Sequence, residues 1–172
     1  MKDILNKISP ITKDGNINVV VEIQKGSKNK YELDKETGML KLDRVMYTGQ
    51  DYPFDYGFIP NTLCEDNDPL DVVLYTTYPL MPGILLVARP VGVIKMIDGG
   101  EGDDKILAVP ADDPRLKDVV DLKTFPAHFV KEVIHFFETY KLIQNKVVKI
   151  NGTEDVTSAK NIINESIELF KK

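Results

Sequence analysis

Cysteine is nearly absent. Cys64 stands alone, so no disulfide can form within the chain and nothing argues for an oxidising compartment. Its place beside an acidic stretch suits a small buried filler. Long apolar runs are missing too: the most apolar stretch, residues 83–97, is broken by Arg89, Pro90 and Lys95 and cannot span a bilayer. The first residues lack the apolar core of a signal peptide, which makes the cytoplasm the expected compartment. Nor is there an excess of positive charge. Lys and Arg number 22 against 27 Asp and Glu, a net charge of −5 with pI near 5.1, so neither nucleic acid nor an anionic membrane is an expected partner. The sequence holds no phosphate-binding P-loop, no G-x-G-x-x-G and no zinc spacing. No Ser-His-Asp arrangement presents itself either. The two histidines, His128 and His135, share one amphipathic segment and suit packing or a subunit contact.

What is present is an ordinary globular composition, 42% apolar and 28% charged over 172 residues, enough to bury about 70% of the unfolded surface in one domain. No internal repeat, low-complexity tract or linker divides residues 1–172. Residues 3–7 read as a helical turn. Residues 18–23, 29–33, 40–46, 72–76, 84–97 and 106–109 read as strands, with Thr37-Gly38 at the tip of a hairpin and a bend at Pro90 or Gly92. Alternation sets Lys30 and Glu32 on one face, and Arg44 on the face of Leu40 and Leu42. Residues 98–105 read as a glycine-loosened acidic loop. From Pro126 the apolar positions Phe129, Val133, Phe137, Tyr140 and Ile143 mark a helix, with Thr124 as its cap. Residues 147–150 form a short strand, and Ala159, Ile163, Ile167 and Phe170 mark a terminal helix. This is an α+β, β-rich chain: a closed antiparallel barrel flanked by two C-terminal helices.

The chemistry centres on residues 65–71, Glu-Asp-Asn-Asp-Pro-Leu-Asp. Alone, a D-x-D reads as a solvated acidic turn. Here a third acid, Asp71, opens an apolar strand, and carboxylate oxygens are the ligands that Mg²⁺ requires. An EF-hand is excluded, because Leu70 and Asp71 fall where that loop needs an oxygen ligand and a glycine. Further acids occur at Glu22, Asp98 and Asp103, and cationic or phenolic groups at Lys30, Arg44, Tyr52, Tyr56, Lys105, Tyr140 and Lys141. Together they suit a multi-metal site for phosphoryl transfer, the acids holding cations and the basic groups gripping phosphate oxygens. A nucleic-acid-binding barrel would want a basic face with stacked aromatics, and a non-catalytic metal protein would leave the Lys, Arg and Tyr set unexplained.

The run Asp66-Asn67-Asp68-Pro69-Leu70-Asp71 resembles the D-x-D-P-x-D signature of soluble family I inorganic pyrophosphatases of bacterial type. Val21-Glu22-Ile23, Lys30-Tyr31-Glu32, Asp43-Arg44, Tyr52-Pro53-x-x-Tyr56-Gly57, Arg89-Pro90-Val91-Gly92-Val93 and the 135–141 run resemble further landmarks in the family's order. The resemblance implies a five-stranded barrel similar to an OB-fold, an inorganic diphosphatase using several Mg²⁺ ions, and a homohexamer built as a dimer of trimers. It implies that Glu22, Asp66, Asp71, Asp98 and Asp103 hold metal, with Asp71 bridging. It also implies that Asp68 is the general base for a metal-activated water, that Lys30, Arg44, Tyr56, Tyr140 and Lys141 contact pyrophosphate, and that Tyr52, Lys105 and Glu32 support them. Gly99 departs from the pattern, which often has an acid there; either a water-mediated contact is lost or Glu101 replaces it.

Overall fold

The structure, a computed structural model, describes residues 5–34 and 36–172. The N-terminal turn expected at 3–7 begins outside the described residues. Nine strands follow: β1 (Ile17–Ile23), β2 (Asn29–Leu33), β3 (Leu40–Val45), β4 (Asp55–Phe58), β5 (Asp71–Leu74), β6 (Leu85–Asp98), β7 (Glu101–Gly102), β8 (Lys105–Pro110) and β9 (Val148–Glu154). Helix α1 spans Ala127–Thr139 and α2 spans Val156–Phe170. Among the described residues no helix is long and apolar enough to cross a membrane.

Five strands close a ring. β1 pairs with β4, β4 with β5, β5 with β8, β8 with β6, and β6 with β1. The expected barrel is therefore present, with one departure from antiparallel order: β5 and β8 run parallel, Asp71 beside Lys105. The β2–β3 hairpin stands off as its own two-stranded sheet. Period-two alternation divides the core in two. Val73, Leu107 and Val109 join the aromatic cluster of Phe54, Phe129, Phe136 and Phe137 under α1. Their neighbours Val72, Leu74, Ile106 and Ala108 join Ala159 and Ile163 of α2. Gly57 is required where β4 meets β1: a Cβ there would lie 2.0 Å from the Val20 carbonyl oxygen.

Several expectations need correction. Helix α1 ends at Thr139, and Ile143 falls in a following 3₁₀ turn (Leu142–Gln144), 64% exposed. Thr124 does not cap α1; its hydroxyl instead accepts from the Val120 and Asp121 N–H groups, at 3.0 and 3.2 Å. The 98–105 stretch is not a loose loop. Asp98 pairs with Glu101 across a two-residue turn, Gly99 at φ 62° and Gly100 at φ 95°, which only residues tolerant of left-handed backbone make cheaply. β9 runs four residues beyond the expected end because it pairs with β6 as far as Glu154.

Candidate active site

Two β-bulges aim side chains that plain alternation would misplace. On β1, Val21 faces Gly57 and Ile23 faces Tyr56, so Glu22 is the extra residue. On β3, Lys30 faces Arg44 but Tyr31 faces Leu42, so Asp43 is extra. The second bulge corrects the expectation for Arg44. Leu40 and Leu42 line a shallow pocket with Tyr31, whereas Arg44 turns to the main cavity with Lys30 and Glu32.

That cavity, about 510 Å³, brings together every site residue expected from the sequence. β1 contributes Glu22; β2 contributes Lys30 and Glu32; β3 contributes Arg44. Tyr52 precedes β4 and Tyr56 lies on it, while the loop before β5 brings Asp66 and Asp68 and β5 opens with Asp71. Asp98 ends β6, Asp103 and Lys105 lead into β8, and Tyr140 and Lys141 follow α1. Glu101, exposed on β7, does not line it, so it does not take the place of an acid at position 99.

Asp71 is the hub. Its Oδ2 accepts 2.6 Å hydrogen bonds from Tyr56 Oη and from Lys105 Nζ. Lys105 is 2% exposed and also pairs with Asp103. Burial pulls its ammonium down, but the two carboxylates outweigh that and hold it above the ordinary lysine value. Burial pushes the Asp103 carboxyl up, with Lys105 opposing. Lys141 pairs with Asp98, and Lys30 with Glu32. Burial also raises the hydroxyls of Tyr52, Tyr56 and Tyr140, keeping them neutral donors. Glu22 is 8% exposed and is pushed up to about 8 by burial, although the Leu33 N–H donates to its Oε1 at 2.6 Å. Cys64 is half-buried with its thiol pushed up to about 12, inert filler rather than a nucleophile.

Among the described residues no three of Asp, Glu, His and Cys stand grouped as a ready metal cage. Lysines pair instead with Asp71, Asp98 and Asp103. The donor set nonetheless fits hard divalent cations: it is all oxygen, and a carboxyl pushed up to about 8 gains from a cation beside it. Sequence reasoning missed Asp43, whose Oδ2 lies 3.3 Å from both Lys30 Nζ and Arg44 Nη1. It also missed Asn61, whose side-chain amide holds the Leu5 and Ile8 carbonyls at the cavity rim. Asn61 left a signal, an asparagine after a proline, and its φ is 57°.

A barrel whose cavity interleaves carboxylates with lysines, an arginine and neutral tyrosines defines a phosphoryl-transfer class of site. The inorganic pyrophosphatase family profile matches residues 19–171. Soluble inorganic pyrophosphatase 3 of Arabidopsis thaliana is 53% identical over 153 residues, 89% of this chain and 71% of that protein. The inorganic pyrophosphatase of Nostoc is 46% identical over 167 residues, 97% of this chain and 99% of that protein. The crystal structure of inorganic pyrophosphatase from Thermus thermophilus superposes with a TM-score of 0.92 at 41% identity, covering 98% of this chain and 99% of the other. This chain belongs to the inorganic pyrophosphatase family, enzymes that cleave a phosphoric anhydride.

Proposed function

We propose that the protein hydrolyses inorganic pyrophosphate to two orthophosphates in the barrel cavity. The observation that carries this is the convergence of seven acids, three lysines, an arginine and three tyrosines on a single 510 Å³ cavity. Glu22, Asp66, Asp71, Asp98 and Asp103 would hold several Mg²⁺ ions, Asp71 serving two of them. Bound Mg²⁺ supplies Lewis-acid polarisation of phosphoryl oxygens and lowers the pKa of water. Lys30, Arg44, Tyr56, Tyr140 and Lys141 bind and orient the substrate oxygens, with Tyr52, Lys105 and Glu32 in support. Asp68, exposed beside Asp66 with its N–H on Asp66 Oδ1 at 3.0 Å, accepts the proton of the attacking water. The new P–O bond forms as the bridging P–O bond breaks, and the second phosphate leaves on its own oxygen, without a phosphoenzyme.

The whole chain acts as one domain in the cytoplasm and assembles as a homohexamer, a dimer of trimers. Exposed Leu42, Val45, Tyr47 and Met81 support assembly. Sedimentation velocity reads the state directly, and a monomer at micromolar concentration would overturn it. The activity is tested by phosphate release from pyrophosphate with Mg²⁺, with chelator, and with a nucleoside triphosphate as competitor. Asp68→Asn should lose roughly 10²–10⁴-fold in kcat with the fold kept; wild-type turnover at neutral pH would remove Asp68 from its role.

A further inference from the structure

The loop joining β4 to β5 carries Asp66 and Asp68 at its tip and delivers Asp71 at its end. Its tip is a tight turn: the Cys64 N–H donates to the Asp68 carbonyl at 2.8 Å, and the Asn67 N–H donates to the Cys64 carbonyl at 3.1 Å. Its base is closed differently. The β4–β5 ladder runs to the Phe58–Asp71 pair, and one step further the Ile59 N–H donates to the Leu70 carbonyl at 2.9 Å. The return bond is not made directly. The Thr62 hydroxyl makes it, donating to the Ile59 carbonyl at 2.6 Å and accepting from the Leu70 N–H at 2.9 Å. Thr62 is 1% exposed, Ile59 0% and Leu70 1%, so bulk water cannot stand in. One oxygen therefore sets the spacing between the two chain ends from which the acids project.

We infer that Thr62 is a positioning residue, its hydroxyl acting as the missing rung that holds Asp66, Asp68 and Asp71 at the spacing the cavity needs. The inference rests on the reading of these three acids as the working carboxylates of the site. Leu70 precedes Asp71 directly, so a shift at the rung passes to Asp71 without an intervening residue. The neighbouring positions brace the same loop from outside: the Asn61 amide donates to the Leu5 and Ile8 carbonyls, and the Leu63 N–H donates to the Ser166 carbonyl of α2 at 2.9 Å. Those braces fix where the loop sits, whereas Thr62 fixes its width. Groups that orient metal ligands in this way commonly change metal affinity or rate by roughly 10–100-fold when removed.

The test compares Thr62→Val, Thr62→Ala and Thr62→Ser in the full chain. Val keeps the shape and deletes the hydroxyl. Ala deletes the hydroxyl without setting a methyl against the Leu70 N–H, which keeps a folded variant in hand if Val fails to fold. Two readouts are taken: Mg²⁺ binding without substrate, by calorimetry, and the Mg²⁺ dependence of phosphate release. Loss of the hydroxyl should weaken Mg²⁺ binding roughly tenfold or more in a protein still folded at the assay temperature, and Ser should restore it to within about twofold. Wild-type Mg²⁺ binding in folded Thr62→Val or Thr62→Ala would overturn the proposal. So would a Ser variant as impaired as Val, since packing of the methyl would then be the cause. Absence of phosphate release from the wild type, with Mg²⁺ binding still sensitive to the hydroxyl, would instead sink the pyrophosphatase reading beneath it.

Discussion

Asp55 is fully buried, yet among the described residues its carboxylate pairs with no cation. Its Oδ1 accepts from the Lys25 and Leu80 N–H groups at 2.8 and 3.0 Å, and its Oδ2 from the Thr76 hydroxyl. An asparagine can meet the same three partners, because the threonine hydroxyl rotates to accept from the amide. Asp55→Asn should therefore lie within about 1 kcal/mol of wild type, whereas Asp55→Ala leaves three donors without their acceptor, the Thr76 hydroxyl buried among them, and should cost about 2 kcal/mol or more. Urea denaturation measures both, and a strongly destabilised Asn variant would show that the charge matters. Glu22 makes a different prediction. Its folded-state value of about 8 lies above its ordinary 4.5, so the metal-free folded protein keeps a proton that the unfolded chain gives up. Metal-free stability should fall as pH rises from about 4.5 towards 8. Mg²⁺ uptake near pH 7 should correspondingly release a proton. Calorimetry in two buffers of unlike ionisation heat reads that proton; equal heats would refute it, and Glu22→Gln should diminish it.

At the scale of elements, the β2 strand, the break at Pro90–Gly92 and both helices were legible from alternation and from three-to-four spacing. That fourteen named residues would meet at one cavity was legible too, because their types and order resemble a known pattern. The aiming was not. Arg44 reads as sharing a face with Leu42 until the extra residue Asp43 is seen, and a bulge has no local signature when its residue is neither glycine nor proline. The Thr124 cap failed for a related reason: Asp121, Thr124 and their backbone close a turn of their own before the helix begins, and such local bonding competes with capping. Gly57 sharpens the point. The resemblance includes it, but neither alternation nor turn chemistry says why it must be glycine: the β1 backbone passes where a Cβ would stand. Gly57→Ala should cost about 3 kcal/mol or more, seen as a lower urea midpoint or as insoluble protein; an unchanged midpoint would mean that β1 and β4 can part.

Across the whole molecule, closure of the ring is a long-range event. Pairing β5 with β8 in parallel brings Asp71 beside Lys105 over 34 residues of chain, and no window of sequence states that neighbour. Because a ligand that binds only the folded form stabilises it, Mg²⁺ at a hundredfold excess over its Kd should add about 2.7 kcal/mol. For a chain of this size that raises the thermal midpoint by roughly 5–10 °C. Differential scanning calorimetry with Mg²⁺ and with chelator checks it, and coincident midpoints would argue against cation binding.

Lys105 carries one last implication. Seated between Asp71 and Asp103, it is a counter-charge that the polypeptide brings with it. Newly made chains can thus close their barrel before meeting any divalent ion, so that on the function proposed above the cation supply would govern when the protein works rather than whether it forms.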